Sequence, residues 1–448
     1  MSIVKELKKN PKVLLGLILF TSFILKLVYV FYFADYKTHL ISDMGGYWER
    51  ATDKFNGENF SMTQWAAWAP CYHFYLFFLF KILYFFNLSS YRLEAILFLH
   101  TVYSTISLFF FYLIAQSLFK NVSQLWLITI CYALFDPLTY FNTFVLSENI
   151  SVPIIIISVY LLFTYYENKK ILFALGLFLG LAIIMRPASG LIGLPFFLYI
   201  VFAKKPSFVS VIRGLIFSAG YFLVIFLALI EINYVSHGEL KALAGNAGVN
   251  FFICQCKPPI VKSFYNGISV HIGAPNYFGS SASPEFNTEH PMHHQMYFYK
   301  LGLECIRNNP NYWLENLIHL KAFLVGPLFP SLPNIKDFDF FVNLANCLFI
   351  CMFLMLGLLY WVFRDSDREK RIKILLLLSI PILITMLAYF YIPDQRYMLP
   401  AYFAVYLLCS MIIFDLGKFA RNAMFYFATI IIINFSYIAY LFMCKEIP

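Results

Sequence analysis

The sequence predicts an all-α polytopic membrane protein with about 11 transmembrane helices, and three observations carry that expectation. Of the 448 residues, 61% are hydrophobic and 13% are charged, and mean hydropathy is +0.71. A soluble domain carries about 25% charged residues, so a water-soluble globule is excluded. Apolar runs of about 20 residues, the length that crosses a bilayer, recur from one end of the chain to the other. The net charge of +9 comes from Lys and Arg standing in short groups between those runs. Such groups read as positive-inside loops rather than as one basic face, which argues against a nucleic-acid partner.

The expected spans are 13–33, 93–118, 122–141, 148–166, 171–185, 188–203, 213–234, 340–363, 374–392, 397–416 and 422–443. The first has no small-residue cleavage site and reads as a retained helix. Pro70 to Phe86 is apolar enough to pass as a further short span, and charge decides against it. With that run not crossing, Lys5, Lys8, Lys9, Lys12, Lys120, Lys169, Lys170, Lys204, Lys205, Arg213, Arg364, Arg368, Lys370, Arg371, Lys373, Lys418 and Arg421 collect in the cytoplasm, together with the N-terminus. With it crossing, everything after Lys12 falls outside, against the usual bias.

This topology divides the chain into an N-terminal membrane module, 1–234, with a first outer loop at 34–91, then a long outer loop, 235–339, and C-terminal membrane helices, 340–448. Trp65, Trp68, Tyr72 and Tyr75 in the first loop, and Tyr297, Tyr299, Tyr312 and Trp313 in the second, suit juxtamembrane helices lying in the interface. The long loop has no net formal charge and is rich in Pro and Gly, as a lid over a membrane-level cavity would be. No internal repeat is visible, which weighs against an inverted-repeat transporter.

Four charged residues converge on the outer side. Asp43 stands in Ser42-Asp43-Met44-Gly45-Gly46-Tyr47, either as the cap of a helix or as a functional acid. Glu148, in Leu146-Ser147-Glu148-Asn149, has the same two readings, since Ser147 or Glu148 can cap the fourth span. Arg186 lies between Met185 and Pro187, where the proline breaks the helix; it either snorkels to headgroups or offers its donors to a phosphate. Arg396, in Pro393-Asp394-Gln395-Arg396-Tyr397, either pairs with Asp394 or joins the same site. Two acids and two arginines at one depth suit a lipid-borne substrate with an anionic leaving group: the arginines hold the phosphate and a carboxylate takes a proton from the incoming nucleophile.

Other candidates are weaker. His290, His293 and His294 have the density of a divalent-metal site, but Pro291 interrupts them and no catalytic zinc spacing is met, so neither a metal nor another cofactor is assigned. His73 and His271 either line the site or satisfy local hydrogen bonds. Nine cysteines show no framework; Cys254 or Cys256 can pair with Cys71 or Cys305 if the outside is oxidising.

The order of short motifs through the outer loops resembles the GT-C superfamily of integral-membrane glycosyltransferases, in particular the family 39 group of protein O-mannosyltransferases and lipid A aminoarabinose transferases. Its carriers are Asp43 with Tyr47 and Ala51, Trp68-Ala69-Pro70-Cys71-Tyr72, Leu146-Ser147-Glu148, Met185-Arg186-Pro187 and Arg396-Tyr397-Met398-Leu399-Pro400. The resemblance implies a sugar moved, with inversion, from a polyprenyl-phosphate donor to a lipid, glycan or protein acceptor. It places the reaction at the periplasmic or extracellular side of a bacterial inner membrane, or at the luminal side in a eukaryote. Asp43 is then the base, Glu148 a supporting acid, and Arg186 and Arg396 the phosphate contacts, with Tyr47, Tyr72, His73 and Tyr397 as substrate contacts. Met44 stands where many relatives have a second acid, and Ala69 where they have proline. The alternative is a lipid-linked polysaccharide ligase or polymerase, in which Arg307 and His271 or His294 carry more weight than Asp43. A lipid or solute transporter is the third reading; it would place ionisable residues mid-bilayer, where Lys26 and few others lie.

Overall fold

The computed structural model describes residues 10–40, 43–58, 71–134, 136–235, 243, 247–255, 295–308, 368–390 and 395–415. All regular structure among them is helical. Five helices are long and apolar enough to cross a membrane: Pro11–Phe33, Ser89–Leu118, Val122–Phe141, Glu148–Tyr165 and Phe208–Tyr234. These coincide with five of the expected spans. The expected spans at 340–363 and 422–443 lie outside the described residues.

The helices used below are α1 (Pro11–Val28, running on as a π-turn to Phe33), α2 (Asp43–Asn56), α3 (Cys71–Phe85), α4 (Arg92–Leu118), α5 (Val122–Leu134), α6 (Leu138–Phe141), α7 (Glu148–Tyr165), α8 (Lys169–Met185), α9 (Gly193–Phe202) and α10 (Phe208–Val235). They are followed by α11 (Ala247–Gln255), α12 (Gln295–Asn308), α13 (Arg368–Phe390) and α14 (Leu399–Asp415). The span expected at 188–203 is a broken element: Arg186 is extended at φ −147°, ψ 96°, and a 3-10 turn over Pro187–Ile192 leads into α9. Proline at 187 excludes the helical conformation from the residue before it, which ends α8 at Met185. The 15-residue α3 is about 22 Å long at 1.5 Å per residue, short of the ~30 Å hydrocarbon core, as a juxtamembrane helix should be.

Packing follows the rules of a lipid solvent, where side-chain volume rather than hydrophobicity decides which faces meet. Helices α8 and α10 touch through Gly176, Gly180 and Gly220. A Cβ at Gly176 would collide with the Phe217 carbonyl, one at Gly220 with the Phe173 carbonyl, and one at Gly180 would stand 2.9 Å from the Val224 Cβ. Large apolar side chains such as Phe20, Phe78, Leu215, Phe222 and Phe226 are instead exposed on the outside of the bundle. In water this would be an aggregation hazard; against acyl chains it is the expected surface.

Two features position the end of the bundle expected to face outward. First, α2 buries Met44, Tyr47 and Ala51 against Tyr72, Leu76 and Phe80 of α3, with edge-on ring contacts between Tyr47 and Tyr72 at 4.9 Å and between Trp48 and Phe80 at 5.0 Å. Second, the connection 136–147 between α5 and α7 is buried apart from the partly exposed Thr139. A loop taken away from solvent must satisfy its own backbone, and this one does so through successive turns: Thr139 N–H donates to Asp136 O, Asn142 N–H to Leu138 O and Phe144 N–H to Phe141 O. Within 235–339, α11 packs on α12, with Gly302 against the Phe251 ring, and Cys305 is disulfide-bonded. Cys71 is a free thiol.

Candidate active site

Asp43 occupies the first turn of α2 and is half-buried. Tyr47, one turn on, is buried, and burial pushes its phenol above the ordinary range; the charges of Asp43 and Glu148 push the same way, while Arg186 and a hydrogen bond with Ser147 oppose them. One phenol therefore lies within the fields of Asp43, Glu148 and Arg186, groups from three separate stretches of the chain. Of the four charged residues expected to converge, Asp43, Glu148 and Arg186 lie close enough to act on this phenol.

Glu148 begins α7, where the positive end of the helix dipole favours its carboxylate. Of the two readings for Leu146-Ser147-Glu148, capping by Ser147 is not what forms. Ser147 is the N-cap residue by position, but it makes no side-chain cap bond. Its Oγ instead donates to Glu148 Oε2 at 3.1 Å. The other carboxylate oxygen, Oε1, meets Arg186 Nη1 at 2.5 Å, and the Glu148 side chain is fully buried.

Arg186 does not snorkel. Its guanidinium is buried beside Glu148, with Cζ 4.5 Å from the centroid of the Tyr397 ring. A ring face attracts a guanidinium and leaves its in-plane N–H groups available for other bonds. Among the described residues, the buried Nε and Nη2 have no hydrogen-bond partner. Arg396 directly precedes Tyr397 in the 3-10 turn Gln395–Met398.

Tyr72 and His73 separate. Tyr72 is fully buried under Tyr47, and its hydroxyl lies 3.2 Å from His100 Nε2. His100 Nδ1 in turn lies 3.2 Å from Asn149 Nδ2, which donates to the Phe141 and Phe144 carbonyls at 2.9 Å each. This polar chain runs behind Glu148. His73 faces the other way, among the charges of Arg50 and Lys54, which add to burial in holding its imidazole down to about 3.

The structure thus brings together Asp43, Tyr47, Glu148, Arg186 and Tyr397, with Tyr72 beneath. His100 and Asn149 were missed by motif reading, although a histidine inside an apolar span is a signal in its own right. His271, His290, His293 and His294 lie outside the described residues. Arg307, on which the ligase reading leans, is exposed near the end of α12.

Residues 73–231 match the family of dolichyl-phosphate-mannose-protein mannosyltransferases. The matched stretch holds Glu148 and Arg186 and stops short of Asp43 and Arg396. No curated protein sequence matches the chain. Helices long and apolar enough to cross a membrane and the family match together support a membrane glycosyltransferase with a lipid-linked sugar donor. The match over 73–231 supports a place for the chain among the GT-C type of integral-membrane glycosyltransferases.

Proposed function

We propose that the protein moves a sugar from a polyprenyl-phosphate donor to an acceptor hydroxyl or amine at the outer face of a bacterial cytoplasmic membrane, or at the luminal face if the source is eukaryotic. The observation that carries this reading is Arg186. A guanidinium held by Glu148 on one edge and Tyr397 on its face, with two buried nitrogens, Nε and Nη2, without partners among the described residues, is a prepared partner for phosphate oxygens.

In the proposed step the Asp43 carboxylate takes the proton of the acceptor, whose heteroatom attacks the anomeric carbon as the bond to the phosphate oxygen breaks. The polyprenyl phosphate leaves with the electron pair, and Arg186, assisted by Arg396, balances the charge that grows on it. One direct displacement inverts the anomeric centre and forms no glycosyl-enzyme. Glu148 serves here chiefly by fixing Arg186, and Tyr47 spans the two acids. The disulfide at Cys305 supports an oxidising, outward location for the long loop.

The test is Asp43→Asn, assayed in membranes with a radiolabelled polyprenyl-phosphate hexose. Expression should hold while turnover falls by about 10²- to 10⁴-fold, the range of general-base catalysis. Undiminished turnover would remove Asp43 as base, and a larger loss from Arg307→Ala than from Asp43→Asn would favour the ligase or polymerase.

A further inference from the structure

A second ion pair lies inside the bundle, away from the group around Arg186. Lys26, on α1, and Asp136, which follows α5, are 1% and 0% exposed, and their Nζ and Oδ2 are 2.6 Å apart. Ser104 of α4 closes the set: it accepts from Lys26 Nζ at 2.5 Å and donates to Asp136 Oδ2 at 2.9 Å. The remaining oxygen, Oδ1, accepts the Leu138 N–H at 3.0 Å. Ionisable residues buried in a membrane bundle are expensive and call for a role. Transport is a poor one here, since every oxygen of the carboxylate is already engaged and the cation is neutralised in place.

The position of Asp136 supplies a better one. It is the first described residue of the buried connection that ends in Ser147-Glu148, and its two oxygens do two different jobs. Oδ1 starts the first turn of that connection, while Oδ2 fastens it to α1 and α4. Further along, the connection is held by His39, whose Nδ1 is 3.2 Å from Thr143 Oγ1 and whose ring stacks on Phe144 at 4.4 Å, and by Asn149 through the Phe141 and Phe144 carbonyls. The latter two holds are neutral hydrogen bonds and ring contacts. Of these three holds the first is a charged anchor.

We infer that Lys26 and Asp136 are positioning residues for the transfer site: their ion pair, closed by Ser104, clamps the start of the 136–147 connection to the first and second spans and so sets where Glu148 meets Arg186. The inference rests on Glu148 and Arg186 forming part of that site. Neither Lys26 nor Asp136 touches the proposed substrate.

Hydrogen–deuterium exchange on the full-length protein in nanodiscs tests the clamp without any substrate. Lys26→Met alone leaves a buried carboxylate uncompensated, so Lys26→Met with Asp136→Asn is the informative variant: Asn keeps an acceptor for the Leu138 N–H and removes the charge. Amides of 138–147 should exchange about 10-fold faster or more than in the wild type, while those of α8 and α10 keep their protection. In parallel, with the radiolabelled polyprenyl-phosphate hexose as donor, kcat should fall while KM for the donor holds. Wild-type exchange across 138–147 would overturn the inference, and so would loosening that spreads equally to α8 and α10, since that would mark a general role in stability. The exchange result stands even if the wild type transfers nothing from this donor, so the clamp and the reading of the site fail separately.

Discussion

The two buried ion pairs are built from similar charges and differ in what surrounds them. Around Asp136 both oxygens and the partner ammonium are used within the protein: Lys26, Ser104 and the Leu138 N–H complete the set. Around Arg186 the accounting stays open. Glu148 takes one nitrogen, Tyr397 covers the face, and Nε and Nη2 are left without partners among the described residues. A buried polar group that lacks a partner costs roughly 1–3 kcal/mol, and more when charged, so a fold retains one where something else completes it. Closure therefore separates the Lys26–Asp136 pair from the Arg186–Glu148 pair, which the proposed function assigns to a ligand, even though burial and charge are alike.

The largest effect that can break this distinction comes from taking one charge out of each pair. Lys26→Met and Arg186→Met each strand a buried carboxylate, and each should lower stability by about 3–5 kcal/mol, read as a fall in thermal midpoint in detergent. The double variants should then part company. Lys26→Met with Asp136→Asn, and Arg186→Met with Glu148→Gln, should both regain most of the lost stability. Transfer should fall in both, through mispositioning in the first and by a larger factor of about 10²- to 10³-fold in the second, the range seen when one preorganised donor to a developing charge is removed. Equal loss of transfer in the two doubles would erase the difference between them.

How the residues of these two pairs appear in the sequence explains what could be read there. The spans were legible because an apolar run long enough to cross a bilayer needs no tertiary information, and five of the expected runs are long apolar helices. Arg186 was legible as a helix end because Pro187 acts on its immediate neighbour. Its bond to Glu148 was legible only as a shared depth, since 38 positions separate the two in sequence, from 148 to 186. Ser147 misled in one of its two readings: local capping statistics favour a bond to the backbone, whereas the adjacent carboxylate captured the hydroxyl. Lys26 stood out as a charge inside a span, but Asp136 passed as an ordinary residue before a proline, 110 positions away. Gly176 and Gly180 carried a close-packing signal at the spacing of one helical turn, and it went unread because neither glycine sits near a candidate site.

A third buried group sharpens the comparison from the neutral side. His73 avoids both solutions by staying uncharged: burial, with Arg50 and Lys54 nearby, holds its imidazole down to about 3. In the unfolded chain it titrates near 6.5. Between those values the unfolded state binds a proton that the folded state refuses, so stability should fall as pH drops below 6.5 and continue to fall until about 3. By pH 5 the difference between wild type and His73→Phe should change by about 2 kcal/mol relative to pH 7.5, following 1.36 kcal/mol per unit. A parallel loss of stability in the two proteins over that window would show that His73 is charged in the fold.

The smallest expected effect bears on how open the Arg186 pair is. Tyr47 touches the site through one hydroxyl, hydrogen-bonded to Ser147, which itself donates to Glu148. Tyr47→Phe removes that hydroxyl and keeps the ring against Tyr72, so stability should fall by only about 0.5–1.5 kcal/mol, the net worth of one hydrogen bond. If the hydroxyl merely closes the scaffold, transfer should track that small loss. If it belongs to the open side of the site, between Asp43 and Glu148, kcat should fall further than stability does, with expression and thermal midpoint close to wild type. The ratio of the two losses measures how far the ligand-serving side of the pair extends toward Asp43.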